Sequence, residues 1–185
     1  MSRRARRRVR SLPLIVYYSR TGTARQVAET LAAYTGWGQA EVRDENPRAR
    51  LYGDLRCVLD MLLHRTPACH YEGPLPSDCA HVVVVAPVWL GRLAAPTRKF
   101  LLDHAPFSGS VSAVCVMASR GGFRAEDDIA FLTGKTPGPA LVLKQRDVQS
   151  GAAAEPLAAF AAALRNRQTR PEAIVRPAWI SPREA

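Results

Sequence analysis

The chain predicts an α/β domain in which a parallel sheet is covered by helices on both faces. Three runs, residues 14–18 (LIVYY), 81–86 (HVVVVA) and 111–118 (VSAVCVMA), are almost continuously apolar, β-branched or aromatic, as strands covered on both faces are. Segments with helical spacing separate them, and strands that alternate with helices imply right-handed crossovers between parallel neighbours. Each run also stops abruptly in a loop of unusual composition: SRTGT, PVWLGR and SRGGF.

The first strand, Leu14 to Tyr18, runs into hydroxyls at alternate positions, Ser19, Thr21 and Thr23, around Gly22. Glycine takes backbone angles that a side chain forbids, and helix formers begin at Thr23. A helix start has amides without internal partners and a dipole that favours negative charge, so this turn suits an anion such as phosphate. The same residues also support a purely structural reading, since Thr23 and Gln26 have the spacing of a capping box. From Ala24 to Tyr34, Val27, Ala28, Leu31 and Ala32 share one helical face, and Gly36 and Gly38 end the helix. Residues 39–44 predict a weak strand at a sheet edge.

Leu51, Leu55, Val58, Leu59, Leu62 and Leu63 recur at helical spacing until Pro67, a stripe expected in the core. A polar, proline-rich loop over 66–80 precedes the central strand, which is expected to stop at Pro87. A helix over about 97–104, the strand 111–118, a short helix over 126–133, a strand over 140–144 (ALVLK) and an alanine-rich helix over 153–165 follow. Residues 1–11 predict a basic, disordered leader, 12–165 one domain, and 166–185 an Arg/Pro-rich tail. No internal repeat is present.

The 185 residues suffice for one domain with a sizeable core. The formal charge is +10, and six arginines lie within the first ten residues, so most of the basicity is a leader. Such an arm could meet nucleic acid or an anionic membrane, but is more commonly a solvated segment. The apolar run after it is too short for a signal core, and nothing approaches a membrane span. A soluble cytoplasmic protein is expected. Cys57, Cys69, Cys79 and Cys115 show no C-x-x-C and no ligand spacing with His64, His70, His81 or His104. No metal site is expected; the cysteines read as free thiols, with Cys115 in the core.

In sheets of this class ligands bind outside the carboxyl ends of the strands, where strand order reverses. The three loops would offer an anion site, an aromatic face and two glycines that admit backbone amides. YSRTGTA after the first strand resembles the phosphate loop of flavodoxin-like proteins, and VVVVAPVWLGRLAAPTRKFL resembles their second, flavin-contacting loop. The resemblance spans about residues 12–165. It implies a flavodoxin-like three-layer sandwich, a five-stranded parallel sheet in the order 2-1-3-4-5, and flavin mononucleotide (FMN) as cofactor. Carried onto matching positions, it implies that Ser19, Arg20, Thr21, Gly22, Thr23 and Ala24 hold the phosphate. Pro87, Val88, Trp89, Leu90 and Gly91 would line one side of the isoalloxazine, and Ser119, Arg120, Gly121, Gly122 and Phe123 the other. Trp89 and Phe123 are the candidates to stack on the ring, and Arg92 or Arg120 the candidates to stand near its pyrimidine edge.

The resemblance implies electron transfer or oxidoreduction of a small acceptor, with NAD(P)H or a protein as donor; no proton-transferring base stands out. Flavodoxin carriers are typically acidic and this chain is basic, so their usual partners do not carry over. Ser19 and Arg25 have the spacing of a low-molecular-weight phosphatase loop, but serine replaces the thiolate nucleophile. Gly134-Lys135-Thr136 suggests a P-loop, yet Ile129 stands where glycine is required and a strand follows. The alternative from another class is a non-enzymatic protein on the same fold that uses its arginine arm for an acidic partner or nucleic acid.

Overall fold

The computed structural model describes residues 12–44, 69–118 and 121–169. The expected leader, most of the tail and the helix expected over residues 51–63 lie outside these. The described elements are β1 (Leu14–Tyr18), α1 (Thr23–Thr35), β2 (Gly38–Asp44), β3 (Cys69–Tyr71), a 3-10 turn (Pro76–Asp78), β4 (His81–Trp89) and β5 (Arg92–Leu93). They continue with α2 (Ala95–His104), β6 (Ser110–Met117), α3 (Gly122–Thr133), β7 (Ala140–Lys144), α4 (Gln145–Gln149) and α5 (Ala154–Thr169).

The sheet order is β3-β2-β1-β4-β6-β7, with β5 on β4. The five strands β2-β1-β4-β6-β7 are parallel and stand in the expected 2-1-3-4-5 order. Two short antiparallel strands raise the count to seven. One of them, β3, pairs Tyr71 with Val42, so β2 is not the edge that its polar sequence suggests. A three-residue strand, Cys-His-Tyr, has too little pattern to stand out in a proline-rich loop.

Alternation along the strands divides two cores. Ile15, Tyr17, Val83, Val85, Val114 and Val116 face one side and pack with α1 and α5 through Val27, Leu31, Leu157, Phe160 and Leu164. Leu14, Val16, Tyr18, Val82, Val84, Ala113 and Cys115 face the other and pack with α2 and α3 through Phe100, Leu101, Ala125 and Ile129. Burial of each such valine or leucine contributes roughly 1.5–3 kcal/mol, so this two-sided sheet is what holds the strand ends in place.

Two boundaries differ from expectation in ways that shape the site. Strand β4 does not stop at Pro87 but runs to Trp89. Pairing with β1 ends at Val85, and the vacated edge is taken by β5 through Val88↔Leu93 and Trp89↔Arg92. Helix α3 begins at Gly122 and not at 126, because Gly121 acts as its left-handed N-cap, φ 97°. Short elements at 95–96 and 145–149 also extend helical structure beyond the expected spans. Among the described residues, no helix is long and apolar enough to cross a membrane.

Candidate functional site

The parallel register aligns the carboxyl ends of β1, β4 and β6, and the three loops leave from this one edge. In the first, Gly22 (φ 91°) is the N-cap of α1 and no side chain caps the helix. Thr23 lies inside the first turn, buried, and the amide of Gln26 donates to the carbonyl of Gly22 at 2.9 Å. The capping-box alternative is therefore overturned: with glycine as the cap, the hydroxyls of Thr23 and Thr21 lie 3.5 Å apart and the first-turn amides stay uncapped.

Ser19 Oγ is fully buried yet has no hydrogen-bond partner. A buried hydroxyl without a partner costs about 1–3 kcal/mol, so it points to a ligand or water that completes it. Ala24, the second residue of α1, is buried at the root of the helix. Arg20 turns toward the second loop, with Cζ 5.9 Å from the centroid of the Trp89 ring. Arg25, on the first turn of α1, meets Glu41 on β2 at 2.5 Å, and Arg43 reaches the same carboxylate at 3.1 Å. Burial pushes the Glu41 carboxyl up, but hydrogen bonds from the two guanidinium groups outweigh it and hold it below the usual range. Arg25 is thus engaged with β2 instead of the first loop, which removes the arginine a phosphatase would need.

The second loop is a two-residue hairpin. Leu90 (φ 47°) and Gly91 (φ 78°) both have positive φ, the sign pattern of a type I′ turn, and Leu90 is the one described non-glycine residue with positive φ. A leucine there is held at a cost of about 1–3 kcal/mol, and the residue is 68 % exposed. Val88 is buried in the core under the turn and Pro87 accepts from the Ala94 amide at 3.1 Å, which seats α2 against β4. Trp89 packs edge-on to Tyr18, ring centroids 6.0 Å apart, so that the first and second loops share an aromatic contact. Arg92 lies across the hairpin from Trp89 and is exposed.

Of the third loop, Ser119 and Arg120 lie outside the described residues. Gly121 and Gly122 are where side chains cannot be added: a Cβ on Gly121 would stand 2.2 Å from the Cα of Gly91, and one on Gly122 would stand 2.2 Å from Cγ1 of Val142. The second and third loops therefore touch backbone to backbone. Phe123 is the second residue of α3, 77 % exposed, not a loop residue as its sequence context suggests.

The structure brings the described candidates together at one sheet edge. Sequence reasoning passed over two contributors there. Tyr18 contacts Trp89 but reads only as the last residue of an apolar strand. Thr97 on α2 is 2 % exposed with Oγ1 unpartnered, and nothing in AAPTRKF distinguishes it from an ordinary surface threonine. No group of three potential ligands that could hold a metal ion occurs among the described residues. Cys69, Cys79 and Cys115 are in no disulfide, and burial pushes the Cys115 thiol up to about 12.

The opposite, amino edge of the sheet holds a different polar group. His81 bonds Ser112 through Nε2 at 2.8 Å and Ser110 through Nδ1 at 2.9 Å, and burial, with nearby Arg167, pushes its pKa down to about 4. The imidazole is neutral and fully occupied, a structural histidine remote from the loops.

No family model and no curated protein sequence matches the chain. Solved structures do. A flavoprotein from Lactobacillus acidophilus NCFM, solved in complex with FMN, aligns with TM-score 0.61 and 18 % identity over 75 % of this chain and 96 % of that one. A protein from Bacteroides uniformis ATCC 8492, put forward as a flavoprotein, aligns at 0.69 and 17 % over 81 % and 97 %. The apo form of an NADH:FMN oxidoreductase aligns at 0.56 and 16 % over 92 % and 100 %. With the parallel order of its five long strands and three loops on one edge, the chain has the flavodoxin-like fold.

Proposed function

We propose that the protein binds FMN and acts in redox chemistry, as an electron carrier or as an oxidoreductase on a small acceptor. The observation that carries this reading is the buried, unpartnered Ser19 hydroxyl beside an uncapped helix N-terminus, which is a site completed by an anion. Similarity to an FMN-bound flavoprotein and to an NADH:FMN oxidoreductase supports the same ligand.

In this reading Ser19, Thr21, Thr23 and the amides of residues 22–24 hold the phosphate, with Gly22 supplying the turn and Arg20 lying across Trp89. Pro87 to Gly91 form one wall and Gly121 to Phe123, with Ser119 and Arg120, the other. The flavin, when bound, supplies the electron chemistry; the protein orients it and sets its electronics. Contact between Gly91 and Gly121 keeps the two walls in register, and Arg92 with Arg120 adds positive charge that favours an anionic reduced cofactor. NAD(P)H or a redox protein is the electron donor.

An absorbance spectrum from 300 to 550 nm, taken before and after loading with FMN and desalting, tests the cofactor. Two retained flavin bands are expected, and NADH or NADPH is then tested for bleaching them. No retained flavin, together with salt-sensitive binding to duplex DNA, would support the alternative of a binding protein. Redox titration of Arg92→Ala and Arg120→Ala tests the charge role; unchanged potentials in both would remove it.

A further inference from the structure

Two large apolar residues are exposed at the edge where the loops meet: Leu90 at the tip of the β4–β5 hairpin and Phe123 in the first turn of α3. Their backbones are held close together, since a Cβ on Gly121 would stand 2.2 Å from the Cα of Gly91. Leu90 adjoins one of these glycines and Phe123 lies two residues beyond the other. Leu90 also has positive φ, at a turn position that glycine or asparagine fills with less strain. Because it stays exposed, the leucine recovers nothing by burial within the chain, and strain held at a surface of this kind marks a contact with something outside it.

Positive charge adjoins the pair. Arg92 follows Gly91 and Arg124 follows Phe123; both are exposed, and neither is in an ion pair with another described residue. Two other arginines near the helix starts are neutralised, Arg25 by Glu41 and Arg98 by Asp128. None of α1, α2 and α3, the helices that follow the three loops, has an acidic residue in its first turn, although that is where a helix favours one. The carboxylates of α3, Glu126 to Asp128, come only after Arg124, farther along the helix from the sheet edge. We infer that this surface docks an acidic one-electron redox protein, whose carboxylates meet Arg92 and Arg124 while an apolar spot covers Leu90 and Phe123. The inference rests on the FMN reading above and adds the partner to it. Electron-transfer encounters use small interfaces, where a few apolar contacts and complementary charge suffice. A nucleic acid would engage the arginines but has no use for a strained leucine at the tip of a turn. In each encounter one electron leaves the partner's centre, which is oxidised by one, and enters the cofactor, which is reduced by one; any proton comes from solvent, and a second encounter completes a two-electron reduction.

The test mixes FMN-loaded, full-length protein anaerobically with an acidic 2Fe–2S ferredoxin, reduced beforehand and used as the probe, and follows flavin absorbance by stopped flow. The second-order rate constant is expected to fall about 10-fold as salt rises from about 20 mM to about 0.5 M. At low salt Arg124→Glu is expected to slow the reaction about 5- to 20-fold and to leave FMN affinity unchanged, with Arg124→Lys within about twofold of wild type. Lys135→Glu, the same change of charge beyond the far end of α3, should also stay within about twofold. Phe123→Ala is expected to slow the reaction about 3- to 10-fold, whereas Phe131→Ala, which removes an exposed ring near the other end of that helix, leaves it unchanged. With reduced protein and a basic cytochrome c as acceptor, Arg124→Glu should speed transfer, a reversal of sign that a merely structural defect does not produce. Equal slowing by Arg124→Glu and Lys135→Glu, slowing with both redox proteins, or a ferredoxin rate indifferent to salt would each overturn the inference. Duplex DNA that displaces the ferredoxin at the same salt would overturn it in favour of nucleic acid. Failure of wild-type protein to retain FMN would instead overturn the FMN reading itself.

Discussion

Substitution of Gly121 by alanine isolates what the backbone contact between the second and third loops contributes. The new Cβ would stand 2.2 Å from Gly91 Cα, 2.8 Å from its carbonyl carbon and 2.9 Å from its oxygen, all backbone atoms that cannot swing aside. Gly36, the C-cap of α1, is the matched control: its φ of +74° is close to the +97° of Gly121, yet a Cβ there meets nothing within 4 Å. Both replacements carry the cost of a left-handed L-residue, about 1–2 kcal/mol, and the same small gain from a stiffer unfolded chain. Only Gly121→Ala adds overpacking, about 1–3 kcal/mol. In equilibrium urea unfolding, with a slope of about 2 kcal/mol per molar, that difference places the Gly121→Ala midpoint about 0.5–1.5 M below that of Gly36→Ala. Gly121→Ala should also lose FMN affinity while Gly36→Ala keeps it. Equal midpoints for the two variants would refute the reasoning, because the contact would then contribute nothing beyond the dihedral.

Three further outcomes are expected. Ser19→Ala should weaken FMN binding about 10- to 100-fold, the loss of a hydrogen bond to a charged group, without lowering apo stability, as read by flavin fluorescence and urea unfolding. His81 has a folded pKa of about 4, below its ordinary 6.5, so the unfolded chain takes up the proton first as pH falls. Stability should be full above pH 6.5 and decline progressively toward pH 4, by about 3 kcal/mol, and His81→Gln should flatten that slope in pH-dependent thermal unfolding. In a Cys57→Ser background, native protein should react with a thiol-labelling disulfide at the partly exposed Cys69 alone; Cys79 and Cys115, both buried, should react only on denaturation.

Much of the architecture is legible in sequence because its signals are local. The runs at 14–18, 81–86 and 111–118 are strands since a sheet covered on both faces demands uninterrupted apolar side chains. The hydroxyl-rich turn before α1 is visible for a similar reason, as glycine and short polar side chains mark a sharp change of backbone direction. A leucine at positive φ cannot be anticipated from PVWLGR, and neither can the start of α3 at Gly122, where two adjacent glycines ordinarily argue against a helix. In both places close packing between loops overrides local preference.

The sequence by itself determined the layered α/β class, the parallel strands and the position of the hydroxyl-rich turn before α1, because strand and helix periodicity and glycine punctuation act over a few residues. Only the tertiary structure decided that Gly91 and Gly121 touch, that Arg25 is held by Glu41, that β2 is covered by β3, and that Ser19 and Thr97 are left with buried, unpartnered hydroxyls. Each of these depends on which surfaces meet across segments distant in the chain, and on whether a polar atom finds a partner there, which no local pattern encodes.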